Sequence, residues 1–334
     1  MPGRETIQKV LASLGLLRDL AGEPYSCTLA VSMVKPTILC VLGPTSSGKT
    51  ALGIRLAKRF FGEIINADAR QLYRDAPIGT GVPRGYIAQE FGEGLVEGVR
   101  HHLFALSAPD QAWTVSEWRE AAEHRIKVVL ERGHLPVVVG GTGMYVRALA
   151  EGFVFSGAPD PARRASLLAL SPEERVGALL KIVPEAERMI DLANPHRVLR
   201  ALERVLEGQS LQPTRIPPPY EYRKLARWYS PEALRARIEH TIQRQFDEGW
   251  EAEVRLLLER GVPQTSALMQ SIGFRTMATA LVNGEPSAHV QQAIVAETWA
   301  YARRQMTWLR KEPGLHWIHT DDEAETLVEQ WLTK

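Results

Sequence analysis

A phosphate-binding loop that directly follows a short apolar segment is the feature that most constrains the fold of this chain. The apolar segment, residues 37–42, contains β-branched residues and ends at a Gly-Pro pair, which predicts a buried strand. Residues 51–57 then carry the apolar period of a helix. A strand, a glycine-rich turn and a helix form a site whose backbone N–H groups and helix N-terminus bind phosphate oxygens. We therefore predict that a di- or triphosphate binds to eight consecutive residues: Gly43, Pro44, Thr45, Ser46, Ser47, Gly48, Lys49 and Thr50.

The last two residues of this loop carry the side chains that P-loop chemistry needs. Lys49 supplies a full positive charge to the phosphate, and the hydroxyl of Thr50 is the predicted Mg²⁺ ligand. Every position of the loop and both flanking segments fit the pattern, so a glycine-rich turn without a ligand is the weaker interpretation.

Strands alternate with helices in the first half of the chain. In order after the phosphate loop, we expect a strand (63–67), a polar loop (68–100), a helix (116–132) and a strand (135–139). This order predicts an α/β fold of the P-loop NTPase type, in which a parallel sheet is flanked by helices. Ligands bind at the carboxyl ends of such strands, and both Asp68 and Thr142 follow a predicted strand.

The second half of the chain is predicted to be mainly helical. Prolines at 161, 172, 184 and 195 are placed like first-turn prolines, which indicates a small all-helical insertion. The stretch 209–222 is rich in proline and predicts a stiff extended connector. The predicted divisions are an N-terminal extension that we expect to be dispensable (1–33), the first part of the P-loop core (34–154), a helical insertion (155–208) and the second part of the core with the C-terminal helices (209–334).

Composition narrows the class of protein. The 334 residues carry a net charge of +1 and two cysteines, which argues against a disulfide framework and against a global field that attracts nucleic acid. No apolar run reaches the ~18–20 residues of a membrane span, and the N-terminus lacks a signal-peptide pattern. We expect a cytoplasmic protein without a membrane partner. Positive charge is concentrated locally, between residues 197 and 237.

Asp68 is the main candidate for proton transfer. A carboxylate at the end of the second strand can hold Mg²⁺ through water, accept a proton from a nucleophile, or cap the next turn. The sequence pattern leaves these roles open. His101 and His102 have no third metal ligand at a recognisable spacing, so we interpret them as structural.

Two basic segments are candidates for nucleic-acid contacts. Arg197 and Arg200 lie on one face of a predicted helix, and Arg204 continues the stripe. The segment 303–310 combines three arginines, an amide and an indole, which suits phosphate contacts beside a base-stacking surface. For both segments, a solvated helix surface is the alternative.

Seven motifs, taken in chain order, resemble those of the bacterial tRNA dimethylallyltransferase family over residues 34 to 312. They lie at 43–50, 66–74 with 78–80, 101–103, 136–145, 194–203, 272–275 and 303–310. The resemblance implies transfer of a dimethylallyl group from dimethylallyl diphosphate to N6 of the adenosine 3′ of the anticodon, with Mg²⁺ and release of diphosphate. The implied partners are dimethylallyl diphosphate and the tRNA anticodon stem-loop, and we expect a monomer.

The resemblance also assigns roles to individual residues. Asp68 is implied to be the general base, and Thr142 to lie close to the tRNA; with Lys49 and Thr50 they form the predicted catalytic set. The residues predicted to contact tRNA are Asp68, Ala69, Arg70, Gln71, Thr142, Arg164, Arg197, Arg200, Gly273, Arg275, Arg303, Arg304, Gln305, Thr307, Trp308 and Arg310.

The chain departs from the usual family pattern at three positions. Ala69 stands where serine is usual, Val82 where lysine is usual, and Thr241 where arginine is frequent. If that arginine helps to hold diphosphate, Arg244 is the candidate to replace it, one turn further along the helix.

Three other classes of protein remain as alternatives. A P-loop small-molecule or nucleotide kinase shares the first motif and would turn over ATP. A nucleic-acid-binding P-loop ATPase would need its Mg²⁺-binding aspartate after a long apolar strand, which Asp68 fits poorly. A prenyltransferase that acts on free adenylate would lack the helical insertion.

Overall fold

The computed structural model describes residues 35–89, 92–153, 160–212, 214–284 and 287–333. The predicted N-terminal extension lies outside the described residues. Within them, eight strands form one sheet in the order β3-β4-β5-β2-β6-β1-β7-β8. The strands are β1 (Thr37–Leu42), β2 (Gly62–Asn66), β3 (Ile87–Ala88), β4 (Glu93–Val96), β5 (Val99–His102), β6 (Leu135–Gly140), β7 (Glu221–Arg227) and β8 (Leu315–Ile318).

Helices cover both faces of this sheet and continue beyond it. They are α1 (Lys49–Arg59), α2 (Pro77–Thr80), α3 (Val115–Glu131), α4 (Gly143–Ala150), α5 (Pro161–Leu168), α6 (Pro172–Ile182), α7 (Ala186–Met189), α8 (Pro195–Leu206), α9 (Pro231–Asp247), α10 (Trp250–Glu259), α11 (Phe274–Asn283), α12 (Ser287–Leu309) and α13 (Asp321–Leu332). None of those in the described part of the chain has the length and apolar character needed to cross a bilayer.

The apolar runs form the centre of the sheet because they can be buried on both faces. β1 pairs in parallel with β6 on one side and β7 on the other. Its side chains alternate between two apolar clusters, so that Leu39 packs with α1 and α13 while Ile38 packs with α3 and α4. The predicted α/β fold with a parallel sheet flanked by helices is confirmed.

The edges of the sheet differ from the sequence prediction. The stretch expected as a polar loop up to residue 100 contains α2 and the antiparallel pairs β3–β4 and β4–β5. Next to the other edge strand, β8, strand β7 takes up the last two residues of the predicted connector. The proline at 184 lies two residues before α7 begins, whereas those at 161, 172 and 195 are the first residues of their helices, as predicted.

Helices α5 to α8 have an apolar cluster of their own. Leu179 and Val198 are at its centre and almost inaccessible to solvent. This cluster supports the predicted helical insertion, although residues 154–159, where it begins, lie outside the described residues. Residues 36–334 group as one unit by their contacts, so the proposed domain division stays a prediction.

The two adjacent histidines are structural, as expected. His102 lies beside the buried carboxylate of Glu63 with an N–O distance of 2.6 Å, and His134 and Arg132 reach the same carboxylate at 2.7 and 3.0 Å. Burial would raise the pKa of Glu63, but the hydrogen bonds from His102 and His134 and the Arg132 charge lower it to about 2. No group of three or more metal-ligating side chains occurs anywhere in the described ranges.

Candidate active site

A cleft of about 370 Å³ opens at the carboxyl ends of β1 and β2. Most of its lining comes from four parts of the chain: the phosphate loop, the loop after β2, α2 with the turn that follows it, and one face of α9. Further residues come from β4, α10 and α12. The lining includes Lys49, Thr50, Asp68, Arg70 and Arg237. The fold therefore brings the predicted phosphate loop and the predicted general base together in one cavity.

The phosphate loop has the geometry that an anion site requires. Gly48 is the N-cap of α1 with φ 79°, a left-handed conformation that strains any residue with a Cβ. The N–H groups of Ser46 and Gly48 have no acceptor among the described residues, and the buried hydroxyls of Ser46 and Ser47 likewise have no partner there. Unpaired buried donors are costly, so these groups point to a ligand with several acceptor oxygens.

One amide of the loop is not available to phosphate. The Thr45 N–H donates to Oε1 of Gln305 at 2.8 Å. The amides that can face a phosphate therefore begin at Ser46 and not at Thr45.

Lys49 and Asp68 interact across the cleft. Burial lowers the pKa of the Lys49 ammonium below its ordinary value, and the Asp68 carboxylate partly offsets this effect. In the described residues, the ammonium has one weak protein acceptor, the Pro44 carbonyl at 3.5 Å. A phosphate oxygen in the cleft would give this charge the partner it lacks.

Asp68 is fixed in place by the turn that carries it. Its Oδ1 accepts the Arg70 N–H at 3.1 Å, and the Asn66 side chain accepts its N–H at 2.8 Å. Trp118 holds the end of β2 in turn by donating to the Asn66 carbonyl at 2.9 Å. One carboxylate oxygen thus caps the turn, whereas the other has no hydrogen-bond partner among the described residues. Asp68 can therefore both cap a turn and accept a proton.

Thr142 lies beside the Asp68 loop. Its hydroxyl oxygen accepts the Ala69 N–H at 3.1 Å, and its own N–H donates to the Ala67 carbonyl at 3.2 Å. Because Ala69 follows Asp68 directly, Thr142 holds the predicted general base in position from the neighbouring strand end.

Arg237, which no sequence motif marks as a site residue, reaches the phosphate loop from α9. Its Nε donates to the Ser46 carbonyl at 2.9 Å, and its guanidinium lies over the Tyr229 ring at 4.9 Å. A Cβ placed on Gly48 would be 3.2 Å from its Nη2. No carboxylate among the described residues pairs with Arg237, whereas the nearby Arg227 is neutralised by Asp321. An arginine so placed provides charge for a phosphate group.

Two further arginines line the cleft, one on α9 and one in the turn after α2. Arg84 and Arg244 line the cleft, and both form ion pairs with Glu248. Thr241 lies between Arg237 and Arg244 and also lines the cleft, where its hydroxyl donates to the Arg237 carbonyl at 2.8 Å. The signal for this group was present in the sequence, since positions 237, 241 and 244 share one helix face.

A buried glutamine of α9 and a half-buried glutamate of α10 hold the short helix α2 against the cleft. The carboxylate of Glu253 accepts the N–H groups of Ile78 and Gly79 at 2.8 and 2.9 Å, and Gln245 donates to the Ile78 carbonyl at 2.6 Å. Burial raises the pKa of Glu253 to about 7, and these two N–H donors oppose part of the rise. A Cβ on Gly79 would lie 2.0 Å from the Trp250 indole nitrogen, so only glycine fits there.

The residues predicted to contact tRNA divide into buried and exposed groups. Gln71 and Gln305 are 8% and 3% exposed and direct their amides to protein groups, and Gly273 is buried against Trp250. Gln71 also lines the cleft, and tRNA contacts by these three residues stay a prediction. Arg164 and Arg200 both bind the buried Glu203, at 2.9 and 3.1 Å.

The exposed group is concentrated at the end of α12. Arg303, Arg304, Thr307 and Arg310 are exposed there, and Arg197 is exposed on α8. Trp308 is half-buried, because its indole packs where a Cβ on Gly143 would be, at 2.7 Å. Arg275 is exposed near Glu297, at 3.9 Å. These side chains can reach a large anionic partner, and their tRNA contacts stay a prediction.

The donor set of the cleft is compatible with Mg²⁺. A P-loop magnesium ion takes one protein hydroxyl and completes its shell with phosphate oxygens and water, so it needs no cluster of protein carboxylates. Thr50 lines the cleft with a half-exposed side chain that can supply this hydroxyl.

A P-loop sheet with a phosphate site and a carboxylate in one cleft defines an enzyme that acts on a phosphorylated substrate. The family model described as IPP transferase matches residues 71–312. A tRNA dimethylallyltransferase of Thermus thermophilus is 38% identical over 299 residues, which cover 87% of this chain and 95% of that protein. A full-length tRNA isopentenylpyrophosphate transferase of Bacillus halodurans has a similar structure, with a TM-score of 0.65, 28% identity and coverage of 90% and 96% of the two chains. A eukaryotic dimethylallyltransferase acting on tRNA shares the fold with a TM-score of 0.70 at 22% identity, over 89% of this chain and 77% of that one. The chain belongs to the tRNA dimethylallyltransferase family.

Proposed function

We propose that the cleft transfers a dimethylallyl group from dimethylallyl diphosphate to N6 of the adenosine on the 3′ side of the anticodon in tRNA. The observation that carries this proposal is the lining of one cavity by Lys49, Thr50 and Asp68. A phosphate site next to a carboxylate suits a reaction in which diphosphate leaves and a proton is removed from the nucleophile.

The phosphate loop would stabilise the leaving group. As the bond between the allylic carbon and the bridging oxygen breaks, its electron pair departs with diphosphate, and negative charge grows on the phosphate oxygens. The free loop amides, Lys49 and Arg237 are placed to receive that charge without reorganisation. When bound, Mg²⁺ would be held by Thr50 and the substrate and would neutralise part of this charge.

Asp68 would act on the nucleophile. The nitrogen lone pair of the adenine amino group forms the new bond to carbon, and one proton of that group passes to the carboxylate oxygen that has no protein partner. The adenine must leave its stacked position in the anticodon loop to reach a buried carboxylate that is 9% exposed.

The exposed arginines of α12 and α8 would bind the tRNA backbone. Contacts between arginine and phosphate fix position, whereas the single-stranded loop is recognised by stacking and by base edges. We expect the protein to act as a monomer in the cytoplasm.

The test is transfer of label from the allyl group into tRNA. The protein is incubated with labelled dimethylallyl diphosphate and unmodified tRNA, and nucleoside digests are examined for labelled adenosine. Label in one adenosine next to the anticodon supports the proposal. ATP turnover coupled to phosphorylation of a small molecule, with no labelled adenosine, would favour a kinase.

A further inference from the structure

Gln305 is buried in the middle of an exposed arginine-rich segment. Its side chain is 3% exposed, whereas its neighbours Arg303 and Arg304 face solvent. The amide uses both of its ends within the protein. Oε1 accepts the Thr45 N–H at 2.8 Å, and Nε2 donates to the Gly141 carbonyl at 2.9 Å. One side chain thus joins the phosphate loop after β1 to the glycine-rich loop after β6.

The space around this amide admits nothing larger than glycine. A Cβ on Gly141 would lie 2.5 Å from Nε2 of Gln305 and 3.0 Å from the Gly43 carbonyl. One helical turn further along α12, Trp308 packs against Gly143 of the same loop. Helix α12 is therefore docked on the glycine-rich loop by two side chains that lie three residues apart.

The glycine-rich loop continues directly to the predicted general base. Thr142 follows Gly141, and its hydroxyl and N–H bind the backbone on either side of Asp68, at Ala69 and Ala67. A continuous set of hydrogen bonds therefore runs from the phosphate loop through Gln305 and Thr142 to the Asp68 turn. Burial raises the pKa of Tyr301, a residue of α12, and the negative charge of Asp68 raises it further. This second effect fits the close approach of α12 to the Asp68 turn.

We infer that Gln305 is a positioning residue, which sets the phosphate loop and the Asp68 turn at a fixed separation and links both to the exposed arginines of α12. This inference rests on the proposed function, because the reaction needs the leaving group and the base aligned on opposite sides of one carbon. Misplacement by about 1 Å is enough to cost on the order of 10²-fold in rate. Because its amide is bonded to protein groups at both ends, Gln305 would act through the two loops and not by contact with a substrate.

Two substitutions test whether Gln305 must bond to both loops or only to the phosphate loop. Gln305→Met keeps the length of the side chain and removes both bonds. Gln305→Glu keeps the acceptor for the Thr45 N–H but places an oxygen against the Gly141 carbonyl. The matched control is Gln291→Met, on the same helix, where the amide donates only to Gln243 on the protein surface.

If both bonds of the Gln305 amide are needed, we expect both variants to lower kcat by about 10²-fold. The KM values for tRNA and for dimethylallyl diphosphate should stay within about threefold of wild type. The control should match wild type. Wild-type turnover in Gln305→Glu would overturn the inference, as would a loss confined to KM, since either result shows that alignment does not depend on the bond to Gly141.

A binding measurement tests the link without any chemistry. The dissociation constant of inorganic diphosphate is measured with and without tRNA, and we expect the two values to differ by about fivefold or more in wild type and to coincide in Gln305→Met. Equal values in wild type would overturn the inference even if transfer is observed. Absence of transfer together with coupled binding would instead refute the proposed function.

Discussion

Replacement of Arg237 by methionine tests whether the cleft is built around a phosphate group. The guanidinium lies beside Gly48, donates to the Ser46 carbonyl and has no carboxylate partner among the described residues. A hydrogen bond to a charged group contributes about 1.5–3 kcal/mol. Loss of one such contact should therefore weaken the binding of inorganic diphosphate by about 10- to 150-fold. Because the bond from Arg237 to the Ser46 carbonyl is exposed to solvent, its loss should cost stability at the low end of that range, about 1.5 kcal/mol.

The assay is a titration of inorganic diphosphate, combined with a thermal melt of each variant. The control is Arg235→Met, because Arg235 lies on the same helix, is exposed and pairs with Glu239 at 3.2 Å. The control should bind diphosphate within about twofold of wild type, since a surface ion pair of this kind contributes little. If folded Arg237→Met binds diphosphate as tightly as wild type, the assignment of this arginine to the phosphate site is wrong.

Three further outcomes follow from the geometry. Lys49→Ala should lower turnover by about 10²–10³-fold, since the lost charge faces an oxygen that becomes more negative in the transition state; a loss below tenfold in single-turnover rates would contradict this. Arg303→Gln and Arg304→Gln should each flatten the log–log dependence of tRNA binding on salt by roughly 0.7–0.9, and unchanged slopes would show that these residues do not contact phosphate. The pKa of Glu63 lies at about 2 in the folded protein and at 4.5 without its partners, so its contribution is present above pH 4.5 and is lost as the pH falls toward 2. Denaturant melts should show a loss on the order of 3 kcal/mol over that range, and Glu63→Gln should remove this part of the pH dependence.

The phosphate loop was predictable because all of its information is local. Eight consecutive residues, a preceding apolar strand and a following helix specify both the backbone and the ligand. The carboxyl-end rule for parallel strands then placed Asp68 and Thr142 near the loop, although only the structure gives their hydrogen bonds.

Long-range partners explain what the sequence did not predict. β7 was missed because it reads as polar, and its Lys224 is accommodated in the sheet by an ion pair with Glu312, 88 residues away. The sequence did not predict the hydrogen bonds of the Gln305 amide, because its partners are 164 and 260 residues distant. When the hydrogen-bond partners of a buried polar side chain are distant in the sequence, the local sequence pattern wrongly predicts that the side chain is on the surface.

The edge strand β3 could not be predicted from the sequence for a different reason. β3 has two residues, both exposed, so it lacks the apolar alternation that marks a half-buried strand. Its pairing with β4 is specified by the sheet that the rest of the chain supplies.

Asp68 is proposed to take the proton of the attacking amino group, and Asp68→Asn tests this role most directly. Asparagine keeps the shape and the cap of the Arg70 N–H but cannot accept the proton. The measurement is the single-turnover rate of dimethylallyl transfer, beside the tRNA dissociation constant, with Asp75→Asn as control because Asp75 is an exposed aspartate of the same loop. We predict a rate about 10²–10⁴-fold below wild type for Asp68→Asn, with tRNA affinity nearly unchanged and with the control unaffected. A rate close to wild type in Asp68→Asn would contradict the account and reduce Asp68 to a cap of its turn.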